Sequence, residues 1–139
     1  MALTQCMVTS FKAEILGGVQ DLDTDVIKMA LYTSAATLDA TTTAYTTSNE
    51  VVGTGYTAGG NTLASPTIST SGTTAYVDFA DTSWTSATIT ARGALIYNSS
   101  KSNKAIAVLD FGSDKTATAG TFTVQMPANT ATDALIRIA

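Results

Sequence analysis

Histidine is absent from this 139-residue chain, and there is a single cysteine, Cys6. Without histidine the chain lacks the commonest general base and the commonest metal ligand. Ser-His and Cys-His nucleophile pairs and the usual zinc sites are excluded. One cysteine excludes an internal disulfide, and Cys6 reads as a small packed hydrophobe. Charge is scarce as well: seven Lys and Arg against eleven Asp and Glu give a net charge of −4, and charged residues make up 13% of the chain. The basic residues are scattered, so the broad basic surface that nonspecific nucleic-acid binding requires is not expected. No apolar run approaches the roughly 20 residues of a membrane span, and the N-terminus lacks the pattern of a signal peptide. These features predict a protein that is not an enzyme, holds no cofactor or metal, and contacts neither nucleic acid nor membrane.

What is abundant is threonine, at 27 positions, with 12 serines beside it. Threonine is β-branched and favours strands. Apolar and aromatic residues recur throughout, which predicts one ordered β domain over residues 1–139, with residues 1–20 as an N-terminal arm or helix. Leu3, Met7, Phe11 and Ile15, with Leu16 alongside, make an apolar stripe at helical spacing. Thr4 is placed to cap that helix, and Gly17-Gly18 to end it. From residue 26 the period becomes two, with Ile27, Met29 and Leu31 alternating against Lys28, Ala30 and Tyr32. Residues 33–50 read as a long loop. "TLASPTIST", "TAYVDFA", "SATITARGALIYN", "KAIAVLDFG", "GTFTVQMP" and "DALIRIA" read as strands, parted by turn signals at Ser71-Gly72, Asp81, "SSKSN", "GSDK" and Pro127. This spacing indicates an all-β, jelly-roll-like β-sandwich with a short N-terminal helix.

"ARGALIYN" and "KAIAVLDFG" form a predicted hairpin. A five-residue turn, 99–103, pairs Asn98 with Lys104 and sets Arg92 opposite Asp110 as an ion pair. In that register Ala94 and Ile96 share a face with Ile106 and Val108, while Leu95 and Tyr97 share the other with Ala107, Leu109 and Phe111. Both faces are apolar, so the second needs a cover, either the N-terminal helix or another subunit. Trp84 is the sole tryptophan and reads as a core anchor.

Four stretches resemble known functional motifs. Gly53, Gly55, Gly59 and Gly60 in "NEVVGTGYTAGGNTLA" suggest a phosphate cradle. The dinucleotide spacing is wrong, no helix pattern follows, and no lysine lies between Lys28 and Lys101, so conformation is the better reading. "DLDTD" has the start of a calcium loop, but Val26 and Tyr32 occupy the positions where glycine and glutamate are needed. Asn98-Ser99-Ser100 is a glycosylation sequon, and "DFG" at 110–112 matches a kinase motif by coincidence. Glu50 with Asp78 or Asp81 is the one conceivable glycosidase carboxylate pair.

The order A-L-Y, N-E-V-x-G-x-G-Y-x-x-G-G, W, A-R-G-A, D-F-G, G-T-F, running over residues 9–139, resembles the capsid cement (head decoration) proteins of tailed bacteriophages, most like that of a Bordetella phage. The resemblance implies a jelly-roll domain, made in the bacterial host cytoplasm, that sits on the outer surface of the virion capsid. Its implied partners are the major capsid protein and a second copy of itself, most simply in a dimer, and it lends no catalytic residues. Phe11 in the N-terminal arm, Tyr45 and Tyr56 are the expected interface residues. Gly53, Gly55, Gly59, Gly60, Trp84, Arg92 and Asp110 are the expected structural ones. The competing expectation is a phage tail or fibre component, or a receptor-binding (carbohydrate-binding) β module.

Overall fold

The computed structural model describes residues 2–139. Two antiparallel sheets pack as a β-sandwich, with one short helix near the N-terminus. β1 (Cys6–Met7) leads into α1 (Thr9–Leu16). There follow β2 (Ile27–Tyr32), β3 (Asn61–Thr62), β4 (Thr67–Ser71), β5 (Thr74–Asp78), β6 (Thr82–Asn98), β7 (Lys104–Val124) and β8 (Ile136–Ile138). The larger sheet has the order β1-β7-β6-β2-β3 and the smaller β4-β5-β8. Val77 and Ile136 of the smaller sheet join Met29, Leu31, Leu95, Ile96 and Ile106 of the larger in one apolar core.

The long β6–β7 ribbon is the spine. Its turn is as expected: Asn98 pairs with Lys104, the Asn98 side chain caps a 3₁₀ turn at Ser100 N–H, and Ser102 and Asn103 take the left-handed conformation that closes it. One residue further on the expected register fails. Tyr97 faces Ala105 but Ile96 faces Ala107, so Ile106 is an extra residue, a β-bulge. Beyond it Leu95 pairs with Val108 and Ala94 with Leu109, each one place from the expected partner. Gly93 rather than Arg92 therefore stands opposite Asp110. The ion pair forms nonetheless, Arg92 Nε to Asp110 Oδ1 at 3.0 Å.

The "GSDK" turn signal marks no chain reversal. Gly93 faces Asp110 and Ala91 faces Lys115, so β7 takes five steps where β6 takes two. The turn-forming residues bulge out of a strand that continues, with Gly112 at φ +83°. "TLASPTIST" is likewise two strands in different sheets. Pro66, which has no N–H to donate, and Ser65 at φ +55° separate β3 from β4.

The expected helix starts too early. Leu3 and Met7 are extended: Leu3 bridges to Leu38 and Met7 pairs with Ala107. Val8 occupies the N-cap with no side-chain cap, so Thr4 has no such role, and Phe11 alone is buried on the helix. Leu16 points to solvent, while Gly18 takes the positive φ expected at the end.

Near the turn, both faces of the β2–β6–β7 region are covered by the chain itself. Asn98 and Lys104, paired on one face, meet the helical side: Asn98 Nδ2 donates to Gln20 Oε1 at 3.1 Å, and Lys104 Nζ lies 3.4 Å from Glu14 Oε2. Across the sheet, Tyr97 is stacked by Tyr45 of the long loop at a centroid distance of 4.7 Å. Further along β7, Leu109 and Phe111 stay half-buried.

Candidate functional site

The glycine stretch is built around a buried carboxylate. Glu50 is 7% exposed in a chain poor in charge. Its Oε1 accepts the Tyr45 hydroxyl at 2.6 Å, and its Oε2 accepts the Tyr56 hydroxyl at 2.6 Å and the Gly59 N–H at 2.8 Å. The Tyr56 oxygen in turn accepts the Leu31 N–H of β2 at 2.9 Å, and Tyr97 donates to the Gly59 carbonyl at 2.7 Å. Tyr32 ties the same loop through the Thr46 carbonyl. Charge-assisted bonds of this length are the strong ones, and a buried carboxylate needs them. Burial first, then hydrogen bonding to Glu50, pushes the Tyr45 and Tyr56 hydroxyls well above the ordinary tyrosine range. Burial, with the Glu50 charge, pushes Tyr97 up to about 12. All three stay protonated donors at neutral pH.

The glycines let the backbone close round this hub. Gly55, Gly59 and Gly60 have φ of +84°, +97° and +75°. A Cβ at Gly53 would sit 2.5 Å from the Thr88 carbonyl oxygen, and one at Gly60 would overlap that of Met29. The stretch is pressed against β6 and β2, and its N–H at Gly59 is already taken by Glu50. It makes no cradle for a phosphate.

Other sequence-predicted residues fall as follows. Phe11 is 1% exposed and belongs to the chain's own core. It presents nothing to a partner, contrary to expectation. Tyr45 and Tyr56 are half-buried, with their hydroxyls committed to Glu50 and their rings stacked on Tyr97 and tilted against Trp84. Their hydroxyls serve the fold, and what they leave exposed is the edge of each half-buried ring. Trp84 is 4% exposed between Tyr56 and Phe122. Asn98 is fully buried, so the sequon is sealed in the folded protein. In "DLDTD", Asp25 binds Asn98 and Lys101 at 2.8 and 3.1 Å, and Asp21 caps the N–H of Asp23 and Thr24. Their carboxylates are spent on folding. Among the described residues no group of three or more His, Cys, Asp or Glu is arranged to hold a metal. Glu50 meets neither Asp78 nor Asp81, which line a separate cleft with Met126 and Pro127.

The chain matches no family model, no curated protein and no solved structure.

What the surface offers is shape. A groove of about 760 Å³ runs between β7 and residues 125–135, floored by Leu109, Phe111, Phe122, Met126 and Leu135. Sequence reasoning missed the Glu50 hub. Its signal was a lone glutamate in a Thr- and Gly-rich segment with a tyrosine five residues before and six after.

Proposed function

We propose that this protein is a structural component of a bacteriophage virion, binding the outside of the capsid and cementing neighbouring major capsid protein subunits. The observation that carries the reading is the joint order of the motifs along the chain, from N-E-V-x-G-x-G-Y-x-x-G-G to A-R-G-A and G-T-F. The architectural work of those residues supports it. Glu50, Tyr56 and Gly59 build the hub, Gly53 and Gly60 allow backbone contact, and Trp84 packs in the core. Such a motif set is a signature of a shared scaffold rather than of shared chemistry. A cement protein needs a rigid scaffold that presents many modest contacts, repeated around a shell so that avidity does the rest.

In this reading the protein acts as a homo-oligomer, most simply a dimer, on the outer capsid surface. Because Phe11 is buried and the Tyr45 and Tyr56 hydroxyls are held by Glu50, the contacts draw mainly on residues the fold leaves outside. Among the described residues, Leu16 at 89% and Val52 at 94% exposure are the most exposed such apolar groups. With few charges available, attachment changes little with salt, and a stable contact buries roughly 1,200 to 2,000 Å² in total. Electron microscopy of purified particles tests the placement, and thermal or osmotic challenge of heads with and without the protein tests the role. Complete heads are expected to survive harsher treatment. Equal robustness, with the protein mapped to the tail, would replace cementing by receptor binding.

A further inference from the structure

Asp78 closes β5 with an exposure of only 4%. Among the described residues its carboxylate makes one hydrogen bond, a local one: Oδ1 accepts the N–H of the next residue, Phe79, at 2.9 Å. Among the described residues no lysine or arginine pairs with it; the ion pairs there are Arg92–Asp110, Lys101–Asp25 and Lys104–Glu14. A second carboxylate, Asp81, is close enough for its charge to be felt, and one of its oxygens accepts the Met126 N–H at 2.7 Å. Both aspartates line an open cleft of about 420 Å³, whose other walls include the polar Ser65, Thr67 and Asn129 as well as Phe79, Met126 and Pro127. Burial, with a smaller contribution from Asp81, holds the Asp78 carboxyl above its ordinary value. A carboxylate largely withdrawn from water without a cation is costly, and the single Phe79 N–H offsets only part of that cost.

The cleft specifies the cation it lacks. It is far roomier than a bare ion needs. Two carboxylates supply few of the six to eight oxygen ligands that calcium gathers, and among the described residues no group of three or more His, Cys, Asp or Glu is arranged to hold a metal. Two acidic acceptors beside the Met126 and Pro127 side chains suit a flat, weakly hydrated guanidinium on an alkyl stem, which can lie along them and still donate in a fork, with Ser65, Thr67 and Asn129 as further polar neighbours. We propose that this cleft receives one arginine side chain of a partner protein, with Asp78 as the principal acceptor and Asp81 as the second. The site stands on its own geometry and holds whether or not the partner is a capsid subunit.

The test uses the intact protein at neutral pH and low salt, with Nα-acetyl-arginine amide as the probe. Asp78 and Asp81 side-chain carboxyl resonances are followed by NMR and melting temperature is measured in parallel. The expected result is a saturable shift with a dissociation constant of ~1–10 mM, modest because a single side chain buries little surface. The corresponding citrulline amide, equal in shape but uncharged, is expected to produce none. Asp78→Asn should weaken binding at least tenfold yet melt no lower than the wild type, since the Asn oxygen keeps the Phe79 N–H and the unpaired charge is gone. Asp81→Asn should weaken binding by a smaller factor. The inference is overturned by an absence of saturation, by an equal response to citrulline, or by unchanged binding in Asp78→Asn. Displacement of the probe by micromolar calcium would also overturn it, making the cleft an ion site.

Discussion

Replacing Glu50 by Gln keeps the size of the side chain and removes its charge, which isolates what the carboxylate contributes to the loop over β2 and β6. Three donors converge on it: two tyrosine hydroxyls and the Gly59 N–H. A glutamine can keep Oε1 toward Tyr56 and Gly59 while its amide faces Tyr45, whose hydroxyl then turns to accept. All three contacts survive but none is charge-assisted. Such bonds contribute ~1.5–3 kcal/mol when one partner is ionised and ~0.5–1.5 when neither is, so the gross loss is ~3 kcal/mol. Relief from burying a charge returns part of this, leaving a net destabilisation of ~1–2 kcal/mol. Glu50→Ala abandons the Gly59 N–H and both hydroxyls together; at ~1–3 kcal/mol for each unsatisfied buried group, ~3–5 kcal/mol is expected. Urea unfolding at 25 °C, followed by Trp84 fluorescence, measures both, because Trp84 lies against Tyr56. Two variants equal within ~0.5 kcal/mol, or an alanine variant losing less than ~1 kcal/mol, would refute the hub, since the midpoint shift maps directly onto stability when the slope is unchanged.

Trp84→Ala removes a ring packed between Tyr56 and Phe122 and should lower stability by ~3–5 kcal/mol in the same assay. Gly60→Ala sets a Cβ into the Met29 carbonyl at φ +75°; the backbone must move, and unfolding should begin at clearly lower urea than in Gly18→Ala, where positive φ is the only strain. Alkali should unfold the protein. Tyr32, Tyr45, Tyr56 and Tyr97 all have folded values raised above the ordinary 10.0, so the stability they confer is intact below pH 10 and is lost as the pH rises toward the folded values. Tyrosinate absorbance should therefore rise together with the loss of β-sheet circular dichroism above pH 10, and ionisation of these four well before unfolding would contradict the burial described.

The sequence and the fold agree where local chemistry decides and part where distant contacts do. Ser71-Gly72, Asp81 and the 99–103 turn were legible because turn residues act through their own backbone preferences. The Arg92–Asp110 pair was legible too, because long side chains tolerate a shift of one register place. The bulge at Ile106 was not, since an apolar residue among apolar residues carries no mark of being unpaired. Leu3 and Met7 fit a helical spacing by coincidence. Their extended course is set by pairing with Ala107 and Leu38, which local propensity does not register. Gly112 and Ser113 carry turn chemistry, yet partners on β6 at both ends keep the chain running on. In the candidate site, Glu50 gave little signal because its three donors come from separate places along the loop. Phe11 and Tyr56 looked available because spacing does not reveal what packs above them.

The β6–β7 ribbon also bears on how the chain reaches its native state. Its two strands are neighbours in sequence, joined by a five-residue turn, so they can zip together from Asn98 and Lys104 with little loss of loop entropy. β2 must find β6 across more than sixty residues, from Tyr32 to Gly93, and the Glu50 loop can close only onto a β2–β6 surface already assembled. The ribbon is thus the natural nucleus, and the tyrosine–carboxylate hub a late latch. Changes at the Ser99–Asn103 turn are then felt in the rate of folding, and changes at Glu50 in the rate at which the finished protein comes apart.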